Sequence, residues 1–135
     1  MKRMMLGLAA ALFVTGAAMG GALAADPAKT ADTSLGKVWT DQAGMTLYIF
    51  TKDTKGTAKS ACEGGCIKNW PPFLAAADAK AEGAWTIVDV TDADGKAAKM
   101  WAYDGMPLYL WVKDTKPGDV TGEGVAGAWH VAKAP

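Results

Sequence analysis

Gly44-Met45-Thr46-Leu47-Tyr48-Ile49-Phe50-Thr51-Lys52-Asp53-Thr54-Lys55 returns later in the chain as Gly105-Met106-Pro107-Leu108-Tyr109-Leu110-Trp111-Val112-Lys113-Asp114-Thr115-Lys116. Eight of these twelve positions are identical and two more exchange similar apolar residues. Just upstream, Val38-Trp39 and Met100-Trp101 correspond once one residue is gapped. The chain therefore carries an internal duplication. Two units are too few for a stacked solenoid, so the expectation is one domain with pseudo-two-fold symmetry. Each copy reads as a hairpin: an apolar run ending in Trp, a turn with Asp and Gly, then an aromatic-rich run. In that second run both alternating sets are apolar, Met45, Leu47 and Ile49 on one side and Tyr48 and Phe50 on the other, which predicts a strand buried on both faces. Pro107 cannot donate to a ladder, so its strand begins there or lies at an edge.

Further strands are expected at residues 84–90, 96–102 and 128–133, with the turn Thr91-Asp92-Ala93-Asp94-Gly95 joining the first two. Only residues 74–80 (LAAADAK) have helical composition, one or two turns at most. The fold class expected is all-β and mainly antiparallel, a small barrel or sandwich with at most one short helix.

The chain opens with Lys2 and Arg3, then an uncharged apolar run from Met4 to Val14, then small residues ending at Ala22-Leu23-Ala24. That order is a secretory signal peptide, with cleavage expected near Ala24. The apolar run is shorter than the roughly 20 residues a bilayer span needs, so no integral membrane segment is expected after cleavage. The two cysteines, Cys62 and Cys66, lie far from that point, so no lipid-attachment cysteine is present and the mature protein should be soluble in the periplasm or secreted. Loss of Lys2 and Arg3 from 14 basic residues leaves 12 against 14 acidic ones, a balance that does not favour nucleic acid. The expected organisation is a signal peptide at 1–24, a small polar flexible lead-in at 25–34, and a single duplicated β domain at 35–135.

Cys62-Glu63-Gly64-Gly65-Cys66 is the most informative short stretch for chemistry. In an exported chain, two cysteines joined by a glycine-containing turn most economically form one disulfide. Two sharper alternatives compete. The pair is a thiol redox centre, although it has three intervening residues rather than two. Or it binds a soft metal such as copper together with His130, with Met45, Met100 or Met106 nearby. His130 is the chain's only histidine, which leaves zinc catalysis short of ligands. Covalent haem attachment is excluded by Ile67 following Cys66. Ser34 and Ser60 have no motif around them that would make a hydrolase, and Asp53, Asp92, Asp94, Asp114 and Asp119 sit where turn chemistry alone places acids. Of the six tryptophans most are expected in the core, with an aromatic cleft for a sugar, flat cofactor or peptide as the alternative. Trp70-Pro71-Pro72 is the candidate partner surface, because consecutive prolines hold an extended, exposed segment.

Tyr48-x-Phe50-x-x-Asp53 and Tyr109-x-Trp111-x-x-Asp114, with the cysteine pair and Trp70-Pro71-Pro72, resemble the bacterial secreted-repeat family described as predicted lipoproteins with a Y-x4-D motif. The resemblance runs from about Leu35 to Val131 and implies location and fold rather than activity. The absence of a lipid-attachment cysteine departs from many members. The motif itself reads as architectural: Asp53 and Asp114 fall past a strand end, where a carboxylate accepts backbone N–H groups of the following turn. The functional expectation is a non-enzymatic module that binds or scaffolds an envelope protein or small ligand without a cofactor. The alternative is a copper or thiol redox protein using Cys62 and Cys66.

Overall fold

The computed structural model describes residues 26–135; the expected signal peptide at 1–24 lies outside them. The elements are β1 (Lys29–Thr33), β2 (Gly36–Thr40), β3 (Tyr48–Phe50), α1 (Gly65–Asn69), β4 (Trp85–Thr91), β5 (Ala97–Tyr103), β6 (Met106–Pro107), a 3₁₀ turn at Val125–Gly127 and β7 (Trp129–Val131). All strand ladders are antiparallel: β1 with β2, β3 with β7, and β4-β5-β6 in order. The all-β, mainly antiparallel expectation holds. Among the described residues no sheet closes into a barrel.

The duplication is visible bond by bond. Leu47 N–H donates to Trp39 O at 2.9 Å, as Leu108 N–H donates to Trp101 O at 3.0 Å. The segment that ends each copy then crosses to the other one. Trp39 N–H donates to Ala132 O and Ala132 N–H to Leu47 O, so the end of copy two is inserted into copy one. Reciprocally, Trp101 N–H donates to Phe73 O and Phe73 N–H to Leu108 O. At the centre, Tyr48 and Tyr109 exchange both backbone hydrogen bonds, at 2.8 and 2.9 Å, which places the pseudo-two-fold axis between them. The halves are interlocked, and neither completes its own sheet.

The central strands are buried on both faces, as their double apolar pattern predicts. Tyr48, Phe50 and Tyr109 point into one cluster with Trp70, Trp129, Met100, Val88 and Cys62. Leu47 and Leu108 point into a second with Trp39, Trp85 and Phe73. The turn after β5 uses Asp104 and Gly105, both at positive φ (52° and 87°), the backbone a tight hairpin with matching twist requires.

Two local expectations are corrected. Lys29–Thr33, placed in a flexible lead-in, is instead a strand laddered to β2 through a turn at Ser34-Leu35, with Thr33 Oγ1 donating to Gly36 O. Its small polar residues carry no apolar signal; the backbone ladder orders them, and the β domain reaches ahead of Leu35. Residues 74–80 form no helix, because Leu74 bridges Met100 and Ala75 N–H donates to Lys99 O, extending the sheet. The one short helix is α1, directly at the cysteine loop.

Candidate functional site

The repeated motif is a crossed network. Tyr48 Oη donates to Asp114 Oδ2 at 2.7 Å, and Tyr109 Oη donates to Asp53 Oδ2 at 2.7 Å. Each tyrosine thus reaches the aspartate of the other copy. Each aspartate's second oxygen holds the loop that follows its own strand: Asp53 Oδ1 accepts from Ala61 N–H, and Asp114 Oδ1 from Thr121 N–H and Oγ1. Gly122 N–H donates to Tyr48 Oη, and Ser60 Oγ bonds Tyr109 Oη. Both tyrosines are fully buried and both aspartates nearly so. Burial raises the pKa of each phenol, reinforced by its aspartate partner. Burial also raises the Asp53 carboxyl, against the lowering effect of the hydrogen bonds from Tyr109 and Ala61.

The aromatic residue of each motif completes a second symmetric feature. Phe50, Trp129, Trp70 and Trp111 stack in that order, with centroid separations of 4.3, 3.7 and 4.0 Å. Tyr48 meets Trp70, and Tyr109 meets Trp129, edge to face. Tyr, aromatic and Asp of the motif all join one half to the other. Trp70-Pro71-Pro72, expected as an exposed partner surface, supplies that stack instead: Trp70 and Pro72 are buried and Pro71 is half-buried. Pro72 bridges Tyr109, and Pro71 O accepts from Leu110 N–H, so the prolines sit where the segment needs to accept but not donate.

Cys62 and Cys66 form a disulfide with a Cα–Cα distance of 5.3 Å. Cys62 is fully buried and Cys66 half-buried at the first turn of α1. His130 is engaged elsewhere, with Nδ1 2.7 Å from Glu123 Oε2. Glu123 feels a burial penalty, but its bonds from His130 and Val131 N–H and the nearby charges outweigh it and lower its pKa. Among the described residues no group of three or more His, Cys, Asp or Glu is positioned to hold a metal, so the copper set Cys62, Cys66 and His130 is not assembled.

Open space lies instead on the second cluster. The β4–β5 hairpin pairs Trp85 with Tyr103 and Ile87 with Trp101, placing these side chains on one face. Trp39 packs against Trp85 and Tyr103 at 4.9 and 5.0 Å. The linker between the copies leaves one side of β5 at Ala75, crosses this face, and enters β4 on the other side at Trp85. A cleft of about 570 Å³ lies between linker and aromatics, with Asp26, Lys80 and Glu82 among its polar lining. Trp39 lines the cleft, and its Nε1 is the buried polar side-chain atom that lacks a hydrogen-bond partner among the described residues. The sequence raised an aromatic cleft only as an alternative and did not say which tryptophans form it.

A family profile described as a secreted repeat of unknown function matches residues 29–73 and 89–133, the two stretches that the hydrogen bonds show as interlocked copies. No curated protein and no solved structure matches the chain. Among the described residues no helix is long and apolar enough to cross a membrane.

Proposed function

The chain belongs to the family of secreted repeats of unknown function, and from that premise we propose that it is a non-enzymatic binding module of the cell envelope. The aromatic cleft over β4 and β5 carries this reading. It joins a sizeable concave space to tryptophan and tyrosine walls and a few polar groups, the make-up of small-ligand sites. The motif residues supply the rigid frame beneath it.

A second reading is favoured by its own observation, the formed disulfide with one buried and one half-buried cysteine. In that reading the thiolate of a partner dithiol attacks Cys66 Sγ, the Cys62–Cys66 bond breaks, and Cys62 leaves as a thiolate that takes up a proton. The partner's second thiol then resolves the mixed disulfide, leaving the partner oxidised and both cysteines reduced.

Mass spectrometry of protein isolated from the periplasm, native and denatured, with and without thiol alkylation, separates the two. The binding reading expects a mass two hydrogens short of the dithiol, no alkylation, and a non-covalent adduct or partner lost on Trp101→Ala. Alkylatable cysteines with no such adduct would overturn it and favour exchange.

A further inference from the structure

We infer that the cleft takes a neutral sugar unit, one apolar ring face laid on Trp101 and Tyr103 and its hydroxyl edge met by Glu82, Asp26 and Lys80; this rests on the binding reading above. The roof of the cleft leaves room for such a ring. The linker over the cleft reads Ala75-Ala76-Ala77-Asp78-Ala79-Lys80-Ala81-Glu82-Gly83-Ala84. Its apolar residues end at Cβ, so nothing from above fills the space over the aromatic floor, and its charged side chains Lys80 and Glu82 line that space.

The floor of the cleft is aromatic. Trp101 and Tyr103 stand two residues apart on β5, hence on one face and roughly 7 Å apart along the strand. Both remain half-buried, whereas Trp39 and Trp85 behind them are buried. Two partly open aromatic rings on one face offer apolar surface to the C–H face of a ligand.

Charge narrows the class. Asp26 and Glu82 against Lys80 leave the polar lining acidic by one charge, which disfavours phosphates and carboxylates. Two carboxylates accept from hydroxyl donors and the ammonium donates to hydroxyl acceptors, so a ligand whose edge offers both satisfies all three groups. A wholly aromatic cofactor leaves them unpaired. A sugar ring combines one C–H face with a hydroxyl edge.

The copies point the same way. The linker and Trp85 fall outside both family-matched stretches, so the cleft is assembled where the two-fold symmetry is broken. The matched parts supply the floor, with Trp39, Trp101 and Tyr103, and the segment between them supplies the roof and Trp85.

The test is titration of the exported protein with cellobiose, maltose, N,N′-diacetylchitobiose, choline and inorganic phosphate, read by the tryptophan indole N–H signals in ¹H–¹⁵N NMR. The expected result is a saturable shift of the Trp101 and Trp39 indole signals with at least one saccharide. Affinity should fall tenfold or more in Trp101→Ala and threefold or more in Glu82→Ala, whose exposed side chain leaves folding intact. Shifts at these indoles with choline or phosphate but no saccharide would overturn the sugar assignment and leave a binding cleft standing. No shift with any probe, in protein whose spectrum shows it folded, would overturn both.

Discussion

Tyr109→Phe removes one oxygen and leaves every apolar contact of the ring, so its cost is that of the hydroxyl's hydrogen bonds, of which the one to the Asp53 carboxylate is charge-assisted and the one with Ser60 neutral. Tyr109 is fully buried and its hydroxyl donates to Asp53 Oδ2 at 2.7 Å. Without it the carboxylate keeps only Ala61 N–H, inside the protein. A hydrogen bond to a charged group contributes about 1.5–3 kcal/mol net. At roughly 4 °C per kcal/mol for a domain of this size, the melting temperature should fall by about 6–12 °C at neutral pH. Burial already raises the Asp53 pKa. With a raised native pKa, the folded state takes up the proton first as pH falls, so the contribution of Asp53 is fully present below its unfolded pKa and lost as pH rises through the folded value. Deleting the hydroxyl takes away a lowering partner, raises that pKa further, and penalises the ionised form most. The deficit of the variant relative to the parent should therefore be largest near neutrality and shrink towards acid. Adding Asp53→Asn, which discharges the buried group, should make the double variant less destabilised than the sum of the singles. Paired thermal melts followed by circular dichroism across pH measure this. A variant melting with the parent at neutral pH, or a deficit unchanged on acidification, would refute the argument.

Gly122→Ala should destabilise by about 1–3 kcal/mol, because the new Cβ would lie 2.9 Å from both Trp70 and Tyr48, rings held by stacking and by Asp114, and neither yields cheaply; denaturant titration reads it. Fragments cut within the linker, 26–78 and 79–135, should each be unfolded alone and recover strand signal when mixed, since the sheet of each half is completed by the other; a folded single fragment would contradict the interlocked topology. Replacing Cys62 and Cys66 together by Ala should cost less than the ~3 kcal/mol expected for a fifteen-residue loop, because their loop is far shorter. A larger loss by denaturant titration would mean that the bond holds more than its loop.

The hairpins and double-faced burial of the central strands were legible because repetition of Tyr48-Ile49-Phe50 as Tyr109-Leu110-Trp111 made one pattern readable twice. The strand-end role of Asp53 and Asp114 was legible too, since each accepts from the loop beyond it. What stayed hidden was which tyrosine meets which aspartate. Tyr48 and Asp53 are neighbours in sequence but not partners in space, and a duplicated motif looks the same whether its contacts run within a copy or between copies. Trp70-Pro71-Pro72 misled for a related reason: prolines mark an extended segment, but burial depended on Tyr109 in the other copy. β1 was missed because backbone pairing, not side chains, holds it.

The reciprocal Tyr48–Tyr109 pairing has a consequence for how such a protein diversifies. Two halves that exchange identical contacts about an axis meet as an isologous homodimer does, each patch self-complementary. Carried on one polypeptide, that association no longer depends on protein concentration, because the tether fixes the effective concentration of one half around the other. The tether is then released from any duty to hold the halves at one length or composition, and each half is released from being identical to its mate. This chain shows both freedoms, a disulfide in only one half and a tether laid over tryptophans as a roof.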